Sequence, residues 1–283
     1  ARAGSAQVLL SCERAIAMTQ AMTESVIQVE RRGAALWISI NREERRNAIN
    51  PDVLLGIEKA LESVMQQPDI RAVVLTAVGE KAFCAGADLS RGTDVFTDGF
   101  DEPTTDFGRL ARIARRLPVP LLGRINGDCV AGGMALLSLC DIAVAASHAR
   151  FGLPEGKVGV FPMQVLVYLR RLIAPRHVNE LCLTGKLINA ERAADMGLIN
   201  QIASTQELDC AMAALIDQVM QMSPVALKRG KAVIAAMENM AFEEALSFAE
   251  AQISIASKTS SAREGLSAFN EKRKPVWTQT EQA

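Results

Sequence analysis

Three short segments of this chain combine residue types suited to a substrate that develops negative charge. The first is Phe83-Cys84-Ala85-Gly86-Ala87-Asp88-Leu89, a run of small residues. Such a turn lets a ligand approach the backbone closely enough to use main-chain N–H donors. The second runs Ile125-Asn126-Gly127-Asp128-Cys129-Val130-Ala131-Gly132-Gly133-Met134-Ala135-Leu136, with paired glycines opening an apolar helix. A helix start has unsatisfied N–H groups and partial positive character, both of which favour an anion. The third, Phe151-Gly152-Leu153-Pro154-Glu155-Gly156-Lys157-Val158-Gly159-Val160-Phe161-Pro162, holds Glu155 as its only carboxylate. Burial in apolar surroundings raises a carboxyl pKa toward the range useful for general acid–base work.

Two N–H groups facing one pocket make an oxyanion hole, and losing one donor of such a hole costs roughly 3–4 kcal/mol of transition-state stabilisation. Taken singly, each segment also has a plain structural reading: a turn of small residues, close helix packing that needs glycine, and a solvated turn glutamate.

The surrounding elements must bring these segments together. Ile27 to Glu30 and Ala35 to Ile40 read as strands joined at Arg32-Gly33. Asn50-Pro51-Asp52 caps a helix on which Leu54, Leu55, Ile57, Leu61 and Val64 recur, and Pro68-Asp69 stops it. Ala72 to Ala77 is a continuous apolar run, the pattern of a strand buried on both faces. Residues 90–107 read as a long polar loop, followed by an Arg-rich helix ending before Pro118. Leu121 to Asn126 and Asp141 to Ala146 read as strands, with Gly132 to Cys140 as an apolar helix between them. From about Val165 the chain reads as helical, punctuated by Pro224, with strong apolar periodicity between Ala241 and Ile255. This rhythm predicts stacked ββα turns in an α/β fold. It divides the chain into an extension outside the fold (1–21), a ββα core holding the site (22–210) and a C-terminal helical region (211–283).

Composition narrows the function classes. The formal net charge is −1, without a basic run, which argues against a nucleic-acid surface. Aromatics are only 4 % of the chain, so aliphatic residues must fill the core. The six cysteines are widely spaced with no C-x-x-C pair, and there are two histidines; buried thiols in a reducing compartment are expected, rather than a metal or disulfide framework. No apolar run reaches the roughly 18 residues that span a bilayer. Residues 1–17 read as an appended prefix, with Met18 or Met22 as a natural start. The cytoplasm is the expected location.

Four segments, in register from about Ser25 onward, resemble the crotonase (enoyl-CoA hydratase/isomerase) superfamily. Asn41-Arg42-Glu43-Glu44-Arg45-Arg46-Asn47-Ala48-Ile49 resembles the family's N-R-P-x-x-R-N-A stretch. The segments around Ala87 and Gly132 resemble the two halves of its oxyanion hole. Ala262 to Arg273 is similar to its C-terminal E-G-x-x-A-F-x-E-K-R signature. The resemblance implies a crotonase fold, a stacked ββα superhelix with a helical C-terminal trimerisation region. It implies a thioester carbonyl held between the N–H groups of Ala87 and Gly132, with the adenine of CoA against the backbone from Ala85 to Leu89, Asp88 included. Lys272 would meet a CoA phosphate from a neighbouring subunit or be a solvated charge. The implied partner is an acyl-CoA in a homotrimer or dimer of trimers, with no cofactor beyond the CoA of the substrate.

The sequence departs from the family at two places. Hydratases of this family carry a second glutamate on the helix after the glycine pair, where this chain has Ala135. Syn addition of water suits two carboxylates, whereas moving a double bond needs one base to carry a proton between two carbons. The residues alone therefore favour a Δ3,Δ2-enoyl-CoA isomerase using Glu155. Hydration, the common reaction of the family, remains open if Glu155 both activates water and returns a proton. A further carboxylate from Asp88, Asp128 or the 90–107 loop would also serve, as would a substrate carrying its own. Asp128 is the leading secondary acid–base candidate, against the plainer role of a structural hydrogen bond. After Pro162, Met163 to Leu172 replaces a glycine-rich stretch with bulky apolar residues, which reads as a reshaped acyl site for a branched or terpenoid-type chain or as helix-core packing. The expectation is an enoyl-CoA hydratase-type lyase, with isomerase second. A CoA-thioester-binding protein without activity stands third, and a retained Glu155 argues against it.

Overall fold

In the computed structural model, residues 25–90, 92 and 104–278 are described. The 1–21 extension and most of the 90–107 loop lie outside them. Strand β1 (Ile27–Arg32) turns at Gly33, whose φ of +59° suits glycine, and pairs antiparallel with β2 (Ala35–Ile40). Helix α1 (Pro51–Val64) starts as its sequence dictates: the Asn50 side chain accepts from the Val53 N–H, and Pro51 takes the first helical position. Its buried stripe is Val53, Ile57, Ala60, Leu61 and Val64. Leu55 falls two residues off that stripe and is 43 % exposed, so its expected place in the apolar rhythm is corrected.

Next come β3 (Ala72–Ala77), β4 (Ala82–Cys84), α2 (Asp106–Arg116), β5 (Leu121–Ile125), β6 (Asp128–Val130), α3 (Gly132–Leu139), β7 (Ile142–Ala146) and β8 (Phe151–Gly152). The C-terminal part holds α4 (Met163–Leu172), α5 (Pro175–Thr184), α6 (Ala190–Asp195), β9 (Gln201–Ala203), α7 (Leu208–Gln221), α8 (Pro224–Met237), α9 (Phe242–Ser257) and α10 (Ser260–Asn270). A six-stranded sheet runs β1-β2-β3-β5-β7-β9 and a three-stranded sheet runs β4-β6-β8. Past the β1–β2 hairpin the strand pairs among the described residues are parallel; an isolated bridge joins Phe151 to Ile188 antiparallel. Each of β3, β5 and β7 lays down one strand in the large sheet and then one in the small sheet. These are the expected ββα turns, and the fold is the crotonase fold with a helical C-terminal region.

The central strands β2, β3, β5 and β7 are buried on both faces, which is why they read as largely apolar runs. One face, with Trp37, Val74, Leu122 and Val144, packs on Leu208, Met212 and Val219 of α7. The other, with Ile38, Leu75 and Leu121, shares a core with Phe83, Met134 and Phe151. Cys84, Cys129, Cys140 and Cys182 are buried free thiols, and burial pushes Cys84 up to about 12. The apolar periodicity of the C-terminal region finds little cover within the chain. Helices α8 and α9 bury no residue, and Phe242, Ile253, Leu266 and Phe269 stand exposed, Phe269 by 81 %. Among the described residues no single helix is long and apolar enough to cross a membrane.

Gly127 marks where the chain passes from the large sheet to the small one. A Cβ there would stand 2.6 Å from the Glu80 carbonyl oxygen and 2.7 Å from the Ala82 nitrogen, both backbone atoms. Gly127→Ala is expected to cost about 1–3 kcal/mol through overpacking. Gly230→Ala in α8, which meets nothing within 4 Å, should instead gain about 0.5–1 kcal/mol from helix propensity. Chemical denaturation of the two variants checks the opposite signs.

Candidate active site

The three strands of the small sheet are parallel, so all of them end at one edge, where open α/β sheets place ligands. Cys84 pairs with Cys129, Cys129 with Phe151, and Val130 with Gly152. The residues that follow are Ala85-Gly86-Ala87 after β4, Ala131-Gly132 after β6 and Leu153-Pro154-Glu155 after β8. All three sequence segments thus meet along that edge.

The first N–H is aimed by a brace from residues 42–49. The Ile49 N–H donates to the Gly86 carbonyl at 2.7 Å, and the Asp88 N–H donates to the Ile49 carbonyl at 2.7 Å. This is a parallel bridge between Ile49 and Ala87, in which the polar groups of Ala87 itself point away from Ile49. Gly86 sits at φ +103°, a conformation that favours glycine. The brace is anchored by buried Asn47. Its Oδ1 accepts the Arg42 N–H at 3.0 Å, and its Nδ2 donates to the carbonyls of Val78 (3.0 Å) and Ala82 (2.7 Å). Asn126 donates to Gly79 at 2.8 Å and to the same Ala82 carbonyl at 3.4 Å. Arg42 donates to the Ala48 carbonyl at 2.6 Å and to the Asp88 carboxylate at 2.7 Å. Sequence reasoning matched this segment to a family motif but missed the bracing roles of Arg42 and Asn47. Nothing local signals hydrogen bonds to residues more than thirty positions away.

The second N–H belongs to Gly132, at the start of α3. Ala131, just before it, has φ 51° and ψ −119°, a region natural to glycine, where strain of about 1–3 kcal/mol is expected for another residue. Its N–H donates to the Gly152 carbonyl and its carbonyl accepts from the Met134 N–H, both at 2.9 Å. Across a trans peptide the C=O and N–H are antiparallel, so the Gly132 N–H points out of the helix start. A Cβ on Gly132 would lie 3.5 Å from the Ala87 nitrogen, which places the two N–H carriers side by side. Among the described residues neither N–H meets an acceptor. Gly133 lets α3 press onto β4, since a Cβ there would stand 2.5 Å from the Cys84 carbonyl oxygen.

Glu155 lies in a short 3-10 turn, Pro154–Val158, packed beside α5. Burial raises its carboxyl pKa, and its Oε2 is buried without a hydrogen-bond partner among the described residues. Cys182 of α5 is close enough to feel it: burial first, and then the Glu155 charge, push that thiol up to about 11. The position where a second carboxylate was expected is Ala135, 4 % exposed inside α3.

The alternative carboxylates are engaged elsewhere. Arg150 grips Asp128 through Nε at 3.0 Å and Nη2 at 2.5 Å, so Asp128 takes the structural role. Asp88 is held by Arg42, whose guanidinium keeps its carboxyl near about 2. Leu89 is half-exposed beside the first N–H segment. Lys272 stands exposed just past α10, and among the described residues nothing ties it to the hole.

The Arg42–Asp88 pair ties the brace to the segment that carries the Ala87 N–H. Because the folded carboxyl titrates near 2, below its ordinary 3.8, its contribution is present above about pH 4 and is lost as pH falls toward 2. Asp88→Asn is expected to cost about 1.5–3 kcal/mol at neutral pH and to flatten the acid limb of stability over that window. Urea midpoints measured from pH 2 to 7 read both effects.

Comparison with known proteins agrees with this geometry. The sequence model of the family described as enoyl-CoA hydratase/isomerase matches residues 30–280. A crotonyl-CoA hydratase of Syntrophomonas wolfei is 31 % identical over 257 residues, covering 88 % of this chain and 95 % of the relative. A short-chain-enoyl-CoA hydratase of Clostridium acetobutylicum is 31 % identical over 252 residues, covering 87 % and 95 %. The crystal structure of an enoyl-CoA hydratase from Mycobacterium smegmatis superposes with a TM-score of 0.83 at 29 % identity, covering 90 % of this chain and all of the other. With this match spanning nearly every described element, the chain belongs to the enoyl-CoA hydratase/isomerase family of the crotonase superfamily.

Proposed function

We propose that this protein adds water across the double bond of a 2-enoyl-CoA, using Ala87 and Gly132 as the oxyanion hole and Glu155 as the acid–base group. One observation carries the reading: a buried carboxylate oxygen stands on the same sheet edge as two N–H groups, all three without a partner among the described residues. The Glu155 carboxylate takes a proton from water as the water oxygen bonds to C3. The C2=C3 electron pair moves toward the thioester carbonyl, and the resulting enolate oxygen is stabilised by the two N–H groups. Glu155, now protonated, returns that proton to C2, so one water is added overall. The reaction needs no cofactor beyond the CoA carried by the substrate, whose adenine is proposed to lie along Ala85 to Leu89. Relatives named crotonyl-CoA hydratase and short-chain-enoyl-CoA hydratase support this choice.

Ala135 favours a second reading. With Asp88 and Asp128 both held by arginines, Glu155 alone carrying a proton between C2 and C4 would make the protein a Δ3,Δ2-enoyl-CoA isomerase. On α4, Val165 and Leu169 pack into the core while Met163 and Val167 stay open; the open pair is where a branched or terpenoid-type acyl chain would be accommodated. The exposed apolar face of α9 and α10 supports assembly as a homotrimer or dimer of trimers.

Purified protein offered a 2-enoyl-CoA, a 3-enoyl-CoA and a 3-methylglutaconyl-type CoA separates the readings. Loss of conjugated thioester absorbance reports hydration; its appearance from the 3-enoyl substrate reports isomerisation. Turnover of none of the three would sink both and favour a binding protein.

Glu155→Gln is expected to lower kcat by about 10²–10⁴-fold. The wild-type rate should rise with pH through an ionisation above the ordinary 4.5, because the carboxylate is the active form, and the variant should lack that limb. The same raised pKa means that Glu155 favours the folded state below about pH 4.5 and that this contribution is lost as pH rises. Glu155→Gln should therefore melt higher than wild type at neutral pH, with the gap closing in acid. An intact rate in Glu155→Gln would remove it from the mechanism.

A further inference from the structure

We infer that Ala131 is a positioning residue for the oxyanion hole, acting through its methyl group and its strained backbone. The inference rests on the hole proposed above and adds a residue to it. Ala131 differs from Arg46, another positive-φ residue outside glycine. Arg46, at φ 51° and ψ 37°, lies in the ordinary left-handed region, whereas Ala131 combines φ 51° with ψ −119°. That is the first central position of a type II′ turn, which is dominated by glycine. An alanine persists there only when its surroundings over-determine it, and three contacts do so. Its N–H is tied to Gly152 on β8, and its carbonyl to Met134 in α3. Its methyl fills the space beside Gly86 that a side chain there would need, since an added Cβ would come within 2.8 Å of it.

These contacts act on different parts of the hole. The carbonyl contact fixes the plane of the Ala131–Gly132 peptide, and with it the direction of the Gly132 N–H. The methyl contact touches the residue before Ala87, so it sets how closely the two halves approach. With glycine at 131 the backbone would reach many conformations without strain. The methyl spacer would also be gone, so the peptide could turn its N–H off the substrate oxygen. Methyl and strain thus hold the two donors in register before substrate arrives.

The test uses the intact protein and a conjugated aryl-acryloyl-CoA, whose absorbance moves to longer wavelength when its carbonyl is polarised. Wild type should show that shift on binding. Ala131→Gly, which suits this backbone and is expected to fold, should show a smaller shift. Its kcat should fall roughly tenfold, part of the loss typical of removing a whole donor, with KM unchanged. Ala131→Ser, which keeps the Cβ, should restore both. A full shift and wild-type kcat in Ala131→Gly, a change confined to KM, or a diminished shift in Ala131→Ser would each overturn the inference. A wild type without any shift would instead refute the hole itself.

Discussion

The parallel pairing of β4, β6 and β8 is the constraint on which the site depends. Each strand is two or three residues long, too short to persist outside the fold, yet their shared direction brings three distant segments to one edge. An antiparallel arrangement would send one of them to the far side. The large sheet makes the parallel pairing obligatory: β3, β5 and β7 run side by side, and each feeds its small-sheet partner through a short connection. The catalytic geometry is therefore a property of the superhelical winding more than of any single loop.

Within that frame, two different kinds of interaction fix the two N–H groups. The first is held by an external brace, in which Ile49 straddles Ala87 and Asn47 ties the brace to Val78 and Ala82. The second is held from within the chain by a peptide pinned between a strand carbonyl and a helix start. Asn47 and Asn126 converge on the Ala82 carbonyl, so one backbone oxygen links the brace, the entry to β4 and the end of β5. Glu155 is an exception in this largely paired neighbourhood, as is the Oδ1 of Asn126. The Glu155 Oε2, buried and without a partner among the described residues, is costly to the folded state for the same reason that it is open to substrate or water.

Much of this was legible in the sequence, for identifiable reasons. Ala72 to Ala77 announced a doubly buried strand because a parallel central strand has no solvated face. Asn50-Pro51 announced a helix start because both residues act locally. The small-sheet strands were not legible, since three residues show no alternation. The Asp128–Arg150 pair follows from β6 lying beside β8, so its structural role becomes readable only once that pairing is known. Leu55 was misassigned because the apolar count was right while its phase was off by two residues. Ala131 gave no hint of strain, because a positive φ is suspected from the sequence at glycine and asparagine, not at alanine.

The proposed hole is made of main-chain N–H groups, and this shapes how such a protein can change over time. Only a proline at 87 or 132 would delete a donor outright; other replacements can only tilt the N–H groups, by way of Gly86, Ala131 or the Asn47 brace. The carboxylates have no such protection: one codon change suffices to remove Glu155 or to leave an alanine at 135. In the proposed reaction, enolate stabilisation is thus the half that tolerates side-chain replacement. The fate of the enolate rests on one or two replaceable side chains. On such a scaffold a change of carboxylates would redirect the chemistry without rebuilding the pocket around the main-chain donors.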